Sequence, residues 1–316
     1  FVFNFNYICL YDDFLSTCMK KFVAFIIWTV TSSNKMGVPI INNYYCLEKI
    51  SKGAFGEVWK GIQKDRYNIN EPVKKETEIA IKIEKKERKS QLKNEYAILS
   101  SMNTTLNITP RVFYFGETST FNYMVFELLG QSIDRYYHES CKNVSRPNVN
   151  TISILKHIGC QMLHCIQYIH KCGIIHRDIK PQNFLFSLDN SHIYIVDFGI
   201  STPYLDHKRK HKPMTYTDST IGTIDFISYY LHEGLSSSRR DDLISMIYII
   251  IYMYNGILPW QKDRLQSIYE MKYNISPDRL CEGLPDKINI MLVYCYSLEY
   301  TTEPNYEYLR FLFETM

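Results

Sequence analysis

Residues 175–185 read Ile-His-Arg-Asp-Ile-Lys-Pro-Gln-Asn-Phe-Leu, and Asp197-Phe198-Gly199 follows. No other stretch limits the chain as much. Asp178 offers a carboxylate and Lys180, two residues on, a cation. Asn183 offers an amide oxygen, and Asp197, 14 residues later, a second carboxylate. The apolar run Ile193-Tyr194-Ile195-Val196 between them reads as a strand. This set suits phosphoryl transfer. One carboxylate can receive the proton of an acceptor hydroxyl, and the cation can face the charge on the moving group. The amide oxygen and the second carboxylate can hold magnesium against nucleotide phosphates.

The chain has 316 residues, enough for one large or two small domains. Hydrophobic residues make up 46%, which supplies a core, and charged residues 22%, near the globular average. The net charge of +3 does not by itself argue for a nucleic-acid partner, and none is expected. The nine cysteines are odd in number and have no Cys-x-x-Cys spacing, which argues against a disulfide framework or a zinc site. Cys160 and Cys165 fall in the apolar-periodic run Ile152–Ile169 and read as small core residues. These features point to an intracellular protein, cytoplasmic and/or nuclear.

The first 35 residues stand apart. Phe22–Val30 holds eight apolar residues in nine, too short for a membrane span of ~20 residues. Met19-Lys20-Lys21 before it resembles a signal-peptide start. Met36 sits just ahead of the first expected strand. It is read as the functional start, with residues 1–35 an extension of uncertain status, and no membrane partner is expected.

The pattern along the chain changes once. Tyr44–Trp59 reads as two strands around a glycine-containing turn, followed by a long polar loop over Gln63–Glu78. Ile79–Ile83, Arg111–Phe115 and Tyr123–Leu128 read as strands, and Ser90–Met102 has helical spacing at Leu92, Tyr96 and Leu99. From Ser132 onward helices dominate, over Thr151–Lys171, Asp241–Asn255 and Pro285–Glu299. The expected fold is α+β and two-lobed: a small, mostly antiparallel sheet with one helix over about 44–126, a linker at 127–131, and a mostly helical lobe over 132–316.

Weaker motifs agree with the strong pair. In Ile50-Ser51-Lys52-Gly53-Ala54-Phe55-Gly56-Glu57-Val58, glycines can let backbone amides approach phosphates, although a plain hairpin turn explains the segment as well. Lys82, in Ala80-Ile81-Lys82, comes 26 residues after Gly56, and Glu95 comes 13 residues after Lys82. Lys82 fits a phosphate-gripping cation and Glu95 its ion-pair partner. A surface strand lysine is the bland alternative. His157, His164 and His170 lack metal-ligand spacing and read as helix-surface or core residues. The run His207-Lys208-Arg209-Lys210-His211-Lys212 reads either as a nuclear-localisation or acidic-partner patch, or as a solvated loop.

Taken in order, these motifs resemble those of protein kinases, and the stretch after Asp-Phe-Gly resembles the casein kinase 1 family. The segment lacks Ala-Pro-Glu. Gly222-Thr223 is followed by Ser228, His232, Gly234 and Ser238-Arg239-Arg240-Asp241-Asp242-Leu243. Leu258-Pro259-Trp260-Gln261, Glu127-Leu128-Leu129-Gly130 and Pro304-Asn305-Tyr306-Glu307-Tyr308-Leu309-Arg310 extend the likeness, which covers about Tyr44 to Phe313.

The resemblance implies a serine/threonine protein kinase that uses ATP and Mg2+ and often prefers acidic or already phosphorylated protein substrates. It is expected to act as a monomer. Asp178 is then the catalytic base, assisted by Lys180, with Lys82 and Glu95 as the ion pair and Asn183 and Asp197 as metal ligands. The ATP contacts implied are Ile50, Ser51, Lys52, Gly53, Ala54, Phe55, Gly56, Val58, Ala80, Lys82, Glu127, Leu129 and Leu185. Phe126 is implied as gatekeeper and Asp242 as a brace for the catalytic loop.

Several positions depart from the family pattern. Ser51 stands where glycine is usual, and Asp225 stands where the family has an arginine that helps form an anion site. Tyr230 and Ile247 are also unusual. The alternative reading is a catalytically weak pseudokinase that acts as a scaffold or binding module.

Overall fold

The computed structural model describes residues 40–53, 56–63, 78–86, 90–102, 106–141, 149–217, 219–262 and 267–316. Residues 1–35, Met36, Ala54, Phe55 and the loop residues 64–77 lie outside them. The chain divides into two compact units. The first comprises Phe1–Arg88 and Val112–Leu128, so far as its residues are described, and the second Lys89–Arg111 and Leu129–Met316.

The first unit is a six-stranded antiparallel sheet. Its strands are β1 (Ile40–Ile41), β2 (Tyr44–Gly53), β3 (Gly56–Gln63), β4 (Glu78–Lys85), β5 (Val112–Glu117) and β6 (Phe121–Glu127), in the order β1-β2-β3-β4-β6-β5. Alternation along β4 decides its faces. Ile81 and Ile83 join a buried cluster with Ile41, Cys46, Trp59, Tyr123 and Val125. Ala80 and Lys82 therefore point to the opposite face, because successive side chains of a strand alternate. Register places Val58 opposite Lys82, and pairs Ala80 with Phe126 and Lys82 with Met124.

The second unit is mostly helical. Its helix α1 (Gln91–Ser101) begins at Ser90, whose side chain accepts from the Lys93 N–H. The sequence order alone would group α1 with the sheet. The Asn94 amide instead donates to the carbonyls of Phe198, Gly199 and Ser201, which ties the helix to the Asp-Phe-Gly segment. Helices α2 (Ile133–Cys141) and α3 (Val149–Lys171) follow. Leu155, Ile158, Met162, Leu163, Cys165, Ile166 and Ile169 form the buried stripe of α3.

Short strands come next: β7 (Ile174–Ile175), β8 (Phe184–Phe186), β9 (Ile193–Ile195) and β10 (Thr202–Pro203). They pair as β7 with β10 and β8 with β9. The remaining helices are α4 (Tyr229–His232), α5 (Arg239–Asn255), α6 (Pro259–Lys262), α7 (Ile268–Asn274), α8 (Pro277–Leu280), α9 (Asp286–Ser297) and α10 (Tyr306–Glu314). Helix α5 is buried on all sides from Arg239 to Ile251, the mark of a central helix. It packs on α3 and α9, and α10 covers α3. Ile247, one of the unusual residues, is fully buried there.

Candidate active site

The His-Arg-Asp segment lies between β7 and β8, and packing removes its freedom. His176 and Asp178 are buried and Arg177 is half-buried with a φ of 70°. Such a left-handed residue other than glycine persists only where its surroundings hold it. Asp242, near the start of α5, does the holding. Its Oδ2 accepts from the His176 N–H at 2.7 Å and its Oδ1 from the Arg177 N–H at 3.0 Å.

His170 at the end of α3 completes the brace. Its Nε2 lies 3.0 Å from Asp242 Oδ2 and its Nδ1 2.7 Å from the Tyr306 hydroxyl. Burial holds the His170 imidazole below its ordinary range, against the pull of Asp242. A neutral ring that donates Nε2–H to the carboxylate and accepts at Nδ1 from Tyr306 satisfies both contacts. Burial would raise the Asp242 carboxyl, but the bonds from His170 and the loop amides outweigh it and hold it below the carboxylate range.

The loop then delivers Asp178. Its Oδ2 lies 2.6 Å from Lys180 Nζ. Its Oδ1 accepts from the Thr223 N–H at 3.0 Å and the Thr223 hydroxyl at 2.7 Å. Lys180 Nζ also donates to that hydroxyl at 3.2 Å. The approach of residue 223 depends on its neighbour. Gly222 has a φ of 104°, and a Cβ there would lie 2.5 Å from the Arg177 carbonyl oxygen.

Asn183 and Asp197 are drawn together by backbone. The Val196 N–H donates to the Asn183 carbonyl at 3.0 Å, and His176 Nε2 lies 3.0 Å from the Val196 carbonyl. Asp197 itself is left-handed, with a φ of 69°. The Asn183 amide nitrogen donates to the Asp178 carbonyl at 2.8 Å and to Asp178 Oδ2 at 3.2 Å. Its Oδ1 is thereby turned away from Asp178. An amide oxygen and a carboxylate in adjoining segments form a hard-oxygen donor set, which fits a magnesium ion.

The other expected residues divide between the units. In the second, Glu95 is buried and accepts from the Phe198 N–H at 3.4 Å. Gly130, after Leu129, donates its N–H to the Phe186 carbonyl at 2.8 Å, and Ser132 bridges Leu185. In the first, Val58, Ala80 and Lys82 share one sheet face, and Glu127 ends β6. Ile50, Ser51, Lys52, Gly53 and Gly56 lie in the β2–β3 hairpin, where Ser51 pairs with Val58 and Gly53 with Gly56. Gly56 has a φ of 135°, and a Cβ there would lie 2.1 Å from the Ile83 carbonyl oxygen. Gly53 has open space around it.

Two of the unusual residues have structural partners. The Arg240 guanidinium lies 3.5 Å from the Tyr230 ring centroid, and the Tyr230 hydroxyl donates to the Tyr296 carbonyl. Asp225 Oδ2 accepts from Gln261 Nε2 at 2.8 Å. Thr223 is the site residue that motif reading left without a role. Its neighbour Gly222 marks the family, but no local pattern places it on a carboxylate 45 residues away.

A carboxylate, a lysine and two further oxygen-bearing side chains gathered about one braced loop suit phosphoryl transfer. The protein kinase domain family matches residues 44–289. A protein of Encephalitozoon cuniculi (strain GB-M1) named "Probable casein kinase I homolog" is 34% identical over 284 residues, covering 86% of this chain and 88% of its own length. Casein kinase I homolog 2 of Schizosaccharomyces pombe (strain 972 / ATCC 24843) is 35% identical over 285 residues, covering 86% of this chain and 62% of its own. The chain belongs to the casein kinase I family of protein kinases. Its activity is that of a protein serine/threonine kinase, and the pseudokinase reading finds no support.

Proposed function

We propose that this kinase uses ATP with Mg2+ as phosphoryl donor and prefers Ser or Thr hydroxyls in acidic segments of proteins. Bound Mg-ATP supplies an electrophilic γ-phosphoryl group whose charge the metal offsets. The observation that carries the reading is the setting of Asp178. Its carboxylate sits 2.6 Å from Lys180 Nζ and accepts two bonds from Thr223. There it can orient an acceptor hydroxyl and receive its proton, while Lys180 faces the charge on the moving group. Asn183 Oδ1 and the Asp197 carboxylate would hold the metal.

The acidic preference is supported by the activation segment. Asp206 Oδ1 accepts from the N–H groups of Lys208 and Lys210, forming a tight turn that leaves His207, Lys208, Arg209 and Lys210 exposed. Four successive basic or titratable side chains raise the local concentration of acidic segments. The same reading has the kinase acting as a monomer in the cytoplasm or nucleus.

The test uses bacterially expressed protein treated with phosphatase. It transfers labelled phosphate from ATP to casein with Mg2+ present and loses that transfer on chelation. Efficiency on an acidic peptide exceeds that on a matched neutral peptide and falls with added salt. Equal use of the two peptides overturns the acidic preference. A strict need for prior phosphorylation by another kinase directs attention to Thr215, Thr217, Ser219 and Thr220.

A further inference from the structure

The turn from Thr223 to Ile227 rests on a buried amine. Lys272 of α7 is 1% exposed, which is rare for lysine because a charged amine gives up its hydration on burial. Its Nζ donates to the Ile224 carbonyl and to the Ile227 carbonyl, each at 2.7 Å. It lies 5.0 Å from the Trp260 ring centroid and 5.5 Å from that of Tyr248, where the ring faces attract a cation. His232 Nε2 is 3.4 Å away.

The turn is stiff and joins this amine to the catalytic carboxylate. The Phe226 N–H donates to the Thr223 carbonyl at 2.8 Å and the Ile227 N–H at 3.1 Å. The Trp260 Nε1–H donates to the Asp225 carbonyl at 2.9 Å. At the far end Thr223 gives its N–H and hydroxyl to Asp178 Oδ1. Burial lowers the Lys272 amine to about 7, and the Asp225 carboxylate opposes that shift.

We propose that Lys272 is a positioning residue for phosphoryl transfer: it anchors the Thr223–Ile227 turn so that Thr223 can hold Asp178. The proposal rests on the reading of Asp178 as the base. Asp225, which in sequence looks like a reversed substrate contact, lies in this turn with its carboxylate on Gln261. The side chains facing Lys272 are His232 from α4, Tyr248 from α5 and Trp260 from α6. Burial depresses His232 to about 4 and raises Tyr248, so both are neutral between pH 6 and pH 9.

Kinetics of Lys272 variants of the full chain test it. Lys272→Met keeps the stem and removes the donors. The kcat for casein is expected to fall at least tenfold, while the KM for ATP changes less than twofold, at a temperature where circular dichroism shows a folded chain. Lys272→Gln, which can keep one donor, serves if the methionine variant does not fold, and its expected loss is smaller. An unchanged kcat in either folded variant overturns the positioning role. Wild type inactive on casein would instead count against the reading of the site.

Discussion

Thr223 donates both its N–H and its hydroxyl to one oxygen of Asp178, at 3.0 and 2.7 Å. The other oxygen faces Lys180 Nζ at 2.6 Å. Each oxygen of the carboxylate therefore has its own charged or polar partner. Rotation of the Asp178 side chain breaks at least one of these bonds, so its orientation is set before any substrate arrives. Positioning of this kind is the main resource of an enzyme that transfers phosphoryl groups.

Asp178→Asn keeps the size of the side chain and removes its basicity. Transfer to casein is expected to fall by roughly 10²–10⁴-fold, the usual worth of a general base. Tm should fall modestly, since an amide that keeps its oxygen on Thr223 turns its NH2 group toward the donors Lys180 Nζ and Asn183 Nδ2. The check is labelled-phosphate transfer beside thermal unfolding. A near-normal rate removes Asp178 from the role of base.

Asp242→Ala tests the brace. It strands the buried His176 N–H and the part-buried Arg177 N–H, together with the His170 ring. Each bond to a charged acceptor is worth ~1.5–3 kcal/mol, so a loss of at least about 3 kcal/mol is expected in denaturant unfolding. The wild-type carboxyl is held below its ordinary range, so its contribution to stability is complete above the unfolded value of about 3.9. That contribution fades as pH falls through the folded value. A loss under 1 kcal/mol at pH 7 would show that the loop does not depend on Asp242.

The glycine hairpin offers a contrast between neighbours. Gly56→Ala places a Cβ against the Ile83 backbone at a positive φ, whereas Gly53→Ala meets open space. Gly56→Ala should lower stability by about 2 kcal/mol or more, since a forced φ and a clash act together. Gly53→Ala should stay within about 1 kcal/mol of wild type. Similar Tm values for the two variants would contradict the hairpin geometry.

Acid sensitivity should carry a histidine signature. Burial depresses His232 from 6.5 to about 4, with Lys272 adding to the effect. Between those values the unfolded chain binds a proton that the folded chain refuses. Stability from this group is therefore lost as pH falls from 6.5 toward 4. His232→Gln should flatten the fall in Tm over that window. An unchanged slope would place His232 in contact with water.

The sequence by itself determined the chemistry and the class of fold. Asp178, Lys180, Asn183 and Asp197 lie within 20 residues of one another, a spacing that a single loop and the following short strands can use directly. Alternation in Ile79–Ile83 and the helical spacing of Leu92 and Leu99 were legible for the same reason, since each periodicity is local. Tertiary structure alone decided how those groups are held. Thr223 meets Asp178 across 45 residues, His170 meets Asp242 across 72, and Tyr306 meets His170 across 136. Lys272, which no motif singles out, is buried under a turn 45 to 48 residues earlier. Such contacts follow from which helices pack together and at what register. No pattern within one segment records that, because their energy appears only when distant segments exclude water from the same place.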